Sequence, residues 1–397
     1  MFSNIQPSNI LVCLLFVASN VQSRNFFFID GQKETLSRVP HVQAAPNKHI
    51  SIPFLMKAQQ TEKGSVPAVS LASALVASIG VGSPPQQLSM LLDTGSNLFW
   101  VRSTKCTSGF CAGKPMFNSE SSSSFQQGPS SKGTSLSDSI VYADGTSVQC
   151  TVNQDTVSFG DFQVKNQNIC EATFISTTTS ETDGLIGIGP PNGLKSSADF
   201  MRNFDSQFST SVLAFSYNQN FNKEGASGEI TLGGLNPDRY NDSSPIVWAP
   251  IADDRRFWFL TLTGVKNSTN DSILFGKSGV SIPVVMDTGT TSNLLPEELA
   301  AAINAQIGAK LSPEGLYTLD CDATNIQTLS LTFNGNAVIT LSGSQFIFRP
   351  PFSSECYSIF QPYNGVIPVF GAWFLRNFYT VFDYQKARIG FGIPKSF

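Results

Sequence analysis

The stretch "LLDTGSNLFWV" (residues 91–101) decides how this chain folds, because a near copy, "VVMDTGTTSNLL" (284–295), carries Asp287 194 residues after Asp93. Each copy sets Asp-Thr-Gly-Ser/Thr behind an apolar triplet, Met90-Leu91-Leu92 in the first and Val284-Val285-Met286 in the second. Such a triplet reads as a buried strand, and a carboxylate at its end is costly unless it has partners or a task. A single Asp-Thr-Gly reads as a turn capped by its own aspartate. Two in matching contexts read as two halves of one site.

Brought together, Asp93 and Asp287 cannot both ionise cheaply, since like charges at hydrogen-bond distance in a low-dielectric cleft repel strongly. They would hold one proton between them. One oxygen of such a pair can take a proton from a water while another gives one to a carbonyl, the general base and general acid that amide hydrolysis needs. That chemistry needs neither metal nor cofactor, and none is expected here. The neighbours suit it: Gly95 and Gly289 let backbone amides approach the carboxylates, Ser96 and Thr290 offer hydroxyls to the outer oxygens, and Thr94 and Thr288 are placed to tie the two loops together.

A second repetition lies downstream. "TDGLIGIGP" (182–190) and "IPVFGAWFL" (367–375) each place an apolar pair before a glycine, Gly187 at 94 residues after Asp93 and Gly371 at 84 after Asp287. Each half thus carries a strand, an acid loop and a supporting strand. A duplicated half folded about a pseudo-twofold axis would bring both acids to the centre.

With 397 residues, 41% apolar and 14% charged, the chain can bury a large core and exceeds one ordinary domain. Frequent Val/Ile/Thr-rich runs punctuated by Gly and Pro predict a mainly β protein, and "PEELAAAINAQIG" (296–308) is the clearest helix. The apolar run at 10–18, followed by Val21-Gln22-Ser23, reads as a secretion signal too short to span a bilayer, and no lipid-anchor signal follows. The expected product is exported, soluble and without a membrane anchor.

Residues 24–63 hold six Lys/Arg and three acids, net +3, so the total of −4 leaves −7 on the rest of the chain. A detachable cationic leader covering an anionic cleft accounts for that split, because the attraction fails once carboxylates are protonated. The acidic body has no basic stripe, which disfavours nucleic-acid binding. Both histidines, His41 and His49, lie in the leader, so a mature body lacks what Ser-His-Asp, Cys-His or His-zinc chemistry requires. Beyond Cys13, six cysteines form an even set suited to an oxidising compartment; the short spacing of Cys106 and Cys111 closes the most economical loop, and Cys150 with Cys170 and Cys321 with Cys356 complete the expected pairs. Metal binding by these cysteines is disfavoured for want of a C-x2-C or a nearby His. Asn241, Asn267 and Asn270 head Asn-x-Ser/Thr sequons and are glycosylation candidates.

With these residues assembled, the chain resembles the pepsin-like aspartic proteases from about residue 74 onward. The resemblance rests on both Asp-Thr-Gly units, "SIGVGSPPQQ" (78–87), Trp100, "VYADGT" (141–146), "ITLGGLNPDRY" (230–240) and "NFYTVFDYQKARIGFG" (377–392). It implies a bilobal pepsin-like fold, two pseudo-twofold-related β-barrel-like lobes with the active cleft between them, and a monomeric acid endopeptidase acting on polypeptides, with apolar residues preferred around the cut. The implied organisation is signal 1–23, propeptide 24–65, an N-terminal lobe at 66–244 with Asp93 and the flap, and a C-terminal lobe at 245–397 with Asp287. Tyr142 falls on the flap tyrosine and would hydrogen-bond toward the Trp100 indole. Leu91, Leu185 and Phe174 are candidate pocket walls, for which core packing is the plain alternative. Cys106–Cys111 and Cys321–Cys356 match pairs common in the family, and Cys150–Cys170 follows by elimination. A propeptide lysine, Lys48 or Lys57, would sit on the acid pair as intramolecular inhibitor.

Three residues depart from the family pattern or extend it. Ala143 replaces the usual flap glycine. Asp144 stands where some fungal-looking members use an acid to accept lysine before the cut, or is an ordinary turn aspartate. Ala372 follows Gly371 where many members carry Asp, which implies work at less acidic pH. The rival reading is a catalytically silent binding or inhibitor protein on the same fold, although such relatives usually lose an Asp or a Gly that this chain keeps. The implied destination is extracellular, with a vacuolar or lysosomal-type compartment as the other.

Overall fold

The computed structural model describes residues 10–13, 50–58 and 73–395, apart from 129, 132–133, 143–144, 161, 177–181, 192, 194–195, 209, 218–226, 277–278, 323, 350–353 and 366. The apolar runs form sheets. Ser73–Val81 and Gln86–Asp93 pair antiparallel around a turn at 82–85, where Gly82 has a φ of 90° and Ser83–Pro84 is cis. Gln86–Asp93 then runs parallel to Gly184–Gly187, with Leu91 opposite Leu185 and Asp93 opposite Gly187. Gly184–Gly187 lies antiparallel to Phe99–Arg102, which runs parallel to Phe162–Ile175. The long hairpin of Ser147–Phe159 and Phe162–Ile175 returns to the first strand, Gly80 opposite Ser158 and Val81 opposite Val157, and closes the first lobe into a barrel. Closure leaves the barrel strands without an open edge.

The second lobe repeats this wiring. Ile282–Met286 runs parallel to Val369–Phe370, which lies antiparallel to Asn293–Leu295, which runs parallel to Phe360–Pro362. In both lobes, therefore, the strand that ends in Asp-Thr-Gly lies beside the strand that leads into the downstream glycine. Phe259–Asn267, Leu329–Phe333 and Ala337–Leu341 extend this sheet.

Six further strands back the two lobes in the order Ile50–Ala58, Ser227–Leu232, Val212–Tyr217, Tyr379–Asp383, Arg388–Gly392 and Val247–Pro250. Ile50–Ala58 also pairs with Ser73–Val81, joining this layer to the first barrel. At the other end of the sheet, Ile10–Cys13 adds a parallel strand to Ser137–Tyr142. The predicted helix forms at Glu297–Ile307, stopped by Gly308 at a φ of 78°, with Leu299, Ala300, Ile303 and Ile307 buried. The many phenylalanines find their place in the interior, where Phe370, Phe374 and Phe378 pack with tilted rings and Phe391 meets Phe378 in a T-shaped contact, each worth roughly 2–3 kcal/mol of burial. The architecture is the mainly β, bilobal pepsin-like one. Among the described residues no helix is long and apolar enough to cross a membrane.

Candidate active site

Both acid loops meet at the lobe junction, and each strand delivers its carboxyl by the same means. Asp93 and Asp287 are wholly buried, at 0% exposure, and their carboxyls lie together, since a Cβ on Gly289 would be 3.2 Å from Asp287 Oδ1 and would also run into Asp93 Oδ1. The Gly95 amide donates to Asp93 Oδ1 at 2.8 Å, and the Gly289 amide to Asp287 Oδ1 at 2.8 Å. Hydroxyls take the outer oxygens: Ser96 Oγ donates to Asp93 Oδ2, and Thr290 Oγ1 to Asp287 Oδ2 at 2.6 Å. The glycines are needed for space as well. A Cβ on Gly95 would lie 2.6 Å from the Asp287 carboxyl, and one on Gly289 would run into Asp93 Oδ1.

Thr94 and Thr288 lock the junction by a reciprocal exchange. The Thr94 amide donates to Thr288 Oγ1 at 3.0 Å and the Thr288 amide to Thr94 Oγ1 at 2.9 Å. Each hydroxyl then reaches across to the opposite strand, Thr94 Oγ1 to the Met286 carbonyl and Thr288 Oγ1 to the Leu92 carbonyl, both at 2.9 Å. Four mutual hydrogen bonds between buried groups give a junction with the symmetry that the duplicated sequence suggests.

The electrostatics favour a shared proton. Burial pushes Asp93 well above the usual carboxylate range and the charge of Asp287 pushes it further, against the Ser96 hydroxyl and the Gly95 amide. Burial also raises Asp287, opposed by the Thr290 hydroxyl, the bond to Asp93 and the amides of Gly289 and Thr290. Both carboxyls are therefore raised, and the two titrate as one pair that holds a proton between its oxygens.

Tyr142 ends the strand Ser137–Tyr142, and its hydroxyl oxygen accepts the Trp100 indole N–H at 2.7 Å. Leu91 and Leu185 stand opposite one another and belong to the buried apolar cluster that contains Trp100 and Tyr142, whereas Phe174 is 40% exposed. Phe257, Phe259, Val285, Leu294 and Val369 form a second cluster on the other lobe, with Val285 opposite Val369 as Leu91 is opposite Leu185. Ala372 is buried, and its amide donates to the Thr290 carbonyl at 2.8 Å. Ala143 and Asp144 lie outside the described residues, as does Lys48.

Two positioning contacts carry no motif. Trp258 sits one residue after Phe257 in an aromatic run, fully buried, and its indole N–H donates to the Ile188 carbonyl at 2.8 Å. The Ile188 amide donates to the Asp93 carbonyl at 2.7 Å, and the Met286 amide to the Trp258 carbonyl at 3.0 Å. Trp258 therefore links the backbone at Asp93 to the strand that carries Asp287. Asn293 Oδ1 accepts the Gly371 amide at 2.9 Å and fixes the supporting strand of the second lobe. The only sequence trace of Trp258 is its place in "RRFWFL" (255–260), which reads as core.

The profile of the eukaryotic aspartyl protease family matches residues 74–393. The chain belongs to that family. It is 30% identical over 337 residues to a probable vacuolar protease A of Trichophyton verrucosum, an alignment covering 80% of this chain and 78% of that one. Syncephapepsin of Syncephalastrum racemosum is 29% identical over 380 residues, covering 89% and 90% of the two chains. Cathepsin E of Cavia porcellus is 30% identical over 329 residues, covering 79% of each. The molecule is an aspartic endopeptidase, a hydrolase whose family acts on polypeptides.

Elsewhere in this aspartyl protease, disulfides join Cys106 to Cys111, Cys150 to Cys170 and Cys321 to Cys356. Cys111, Cys150 and Cys170 all pack in the cluster beneath Tyr142 and Trp100. Of the sequon residues, Asn270 is exposed, Asn241 half-buried and Asn267 fully buried.

Proposed function

We propose that this aspartyl protease is an exported zymogen that cleaves peptide bonds at acidic pH by activating a water between Asp93 and Asp287. The observation that carries the reading is the closely placed, fully buried acid pair with one hydroxyl and one amide aimed at each carboxyl. Held with one proton, the pair takes a proton from the water through the ionised carboxylate as its oxygen attacks the peptide carbonyl. The protonated carboxyl gives its proton to that carbonyl oxygen. Amide and hydroxyl donors from residues 95, 96, 289 and 290 fix the carboxyls in position, and the threonine exchange keeps the two halves from separating. Tyr142, held by Trp100, is the flap residue that shields the reacting amide from bulk water. By the family resemblance, apolar substrate residues are preferred around the cut, with the substrate lying as an added strand.

The propeptide reading has support in the strand Ile50–Ala58, which lies inside the backing sheet with Lys57 opposite Ala74. A cationic segment bound to an acidic body is released as carboxylates protonate, so acid-triggered self-cleavage is the simplest activation. The signal at 1–23, the propeptide at 24–65 and the lobes at 66–244 and 245–397 complete the proposed organisation, as a monomer without an anchor. Vacuolar protease A relatives favour a vacuolar or secreted destination. By the family resemblance, Ala372 in place of an acid goes with an optimum at less acidic pH.

The test is digestion of denatured globin by acid-treated protein, with and without a transition-state mimic bearing a statine-type hydroxyl. Cleavage abolished by the mimic supports the reading, and globin left intact from about pH 2 to about pH 7 contradicts it. A profile that peaks near pH 3 and vanishes above about pH 5 would count against the role given to Ala372.

A further inference from the structure

The strand Phe259–Asn267 leaves the cleft side of the second lobe and turns back through 268–272 into the short strand Ile273–Phe275. Two sequons overlap this turn, Asn267-Ser268-Thr269 and Asn270-Asp271-Ser272. The fold treats their asparagines in opposite ways.

Asn267 is 0% exposed. Its Nδ2 donates to Gln306 Oε1 on the helix Glu297–Ile307 at 3.0 Å and also to Gln327 Oε1, while its Oδ1 accepts the Thr269 amide at 2.8 Å. Its backbone pairs opposite Leu329 in the sheet, and its amide bonds the Ser272 carbonyl at 2.9 Å. A sugar on Nδ2 would have to displace the helix from the sheet, so a chain modified there could not complete this packing.

Asn270 is exposed at the crest of the turn, between exposed Thr269 and exposed Asp271. Its Oδ1 accepts the Ser272 amide at 3.0 Å, and Asp271 takes a left-handed φ of 55°, so the carbonyl side of the Asn270 amide is turned in to the loop. That arrangement directs the nitrogen outward.

We propose that Asn270 is the N-glycosylation site of this hairpin and that Asn267 stays bare in the folded protein, an inference that rests on export through a glycosylating compartment. The donor is a lipid-diphosphate oligosaccharide. The Asn270 amide nitrogen bonds to C1 of the first sugar as the bond from C1 to the diphosphate oxygen breaks; the lipid diphosphate leaves and the amide loses one proton. The glycan would cover an edge: among the described residues Ile273–Phe275 pairs on one side only, with Phe259–Asn267, and Ile273 is 53% exposed. An unpaired edge with an exposed isoleucine is a place where strands of other molecules add, and a glycan beside it prevents that. The turn is also remote from the chemistry, since eight residues of strand separate it from Phe259, which stands opposite Val285 two residues before Asp287, a span of roughly 25–30 Å.

The test expresses the full chain in secreting eukaryotic cells, recovers natively folded protein from medium and lysate, and treats it with peptide N-glycosidase in heavy-oxygen water before peptide mass mapping. The expected result is label on Asn270 at an occupancy about tenfold or more above that on Asn267. Export-processed protein with bare Asn270, or with label mainly on Asn267, overturns the assignment alone. Protein retained inside the cell with residues 1–23 intact overturns the export reading and the glycan with it. Asn270→Gln should keep kcat/KM within about twofold while lowering the concentration at which the protein aggregates; a tenfold loss of kcat/KM at unchanged aggregation would contradict the remote, edge-covering role.

Discussion

At the scale of single residues, the site depends on groups whose value comes from a partner in the other half of the chain. Asp93 and Asp287 were legible in the sequence because the same short pattern occurs twice and an isolated buried carboxylate makes no physical sense. Replacing either by Asn keeps its volume and one acceptor oxygen but removes a group that holds or takes the proton in the proposed mechanism. We expect kcat to fall by about 10²–10⁴-fold or more for Asp93→Asn and for Asp287→Asn, with an unchanged circular dichroism spectrum and a double variant little worse than either single one. A single variant retaining activity within tenfold would contradict the shared role. Trp258 was not legible, because a hydrogen bond to Ile188, 70 positions earlier in the chain, leaves no period or motif. Leu91 and Leu185 read equally as pocket or as core, and the structure puts both in the buried cluster that supports Tyr142.

At the scale of elements, strands with an apolar triplet and a following glycine were readable, as was the helix Glu297–Ile307 with its proline entry and glycine stop. The backing sheet was not, since it pairs residues near 54, 215, 230 and 381, and such long-range partners are chosen by tertiary packing. Two element-level predictions follow from the geometry. Trp258→Phe keeps the ring against Phe382, 5.1 Å away, but leaves the Ile188 carbonyl unpaired, at a cost of about 1–3 kcal/mol. Because that carbonyl belongs to Ile188, the residue whose amide holds the Asp93 carbonyl, kcat should drop about tenfold with KM within about twofold, and the pH profile should shift; a lower Tm with unchanged kcat and pH profile would reduce Trp258 to core packing. Asp199 caps the helix Phe200–Gln207 by accepting the Arg202 amide at 3.2 Å, and burial pushes its carboxyl up to about 6 against that amide and the Arg202 charge. A raised folded value means the native state holds the proton more tightly, so this stability is present below about 3.8 and is lost as pH rises through about 6. Asp199→Asn preserves the cap, and calorimetry should show its Tm equal to that of the parent near pH 4 and about 2–4 °C higher near pH 7. An equal Tm at both would contradict the buried-acid account.

At the scale of the whole molecule, duplication explains why two lobes with one wiring meet at a symmetric junction, and the acid pair then ties stability to pH. Both carboxyls are raised in the fold, so between the unfolded value near 3.8 and the folded ones the native state binds more protons than the unfolded chain. The pair's contribution is therefore complete below about pH 4 and declines as pH rises, and Tm should fall from pH 4 to pH 7 with a shallower slope in Asp93→Asn; identical slopes would assign the decline to other groups. The fold class, the lobes and the junction residues were visible in the sequence because they repeat, while the asymmetric parts, Trp258 and the backing strands, were not. The most direct measurement of the central claim is a neutron crystal structure of the protein near pH 5 in heavy water. A single deuteron on the four oxygens of Asp93 and Asp287, with the two carboxyls in contact, is the predicted result; two deuterons, none, or carboxyls held apart would contradict it.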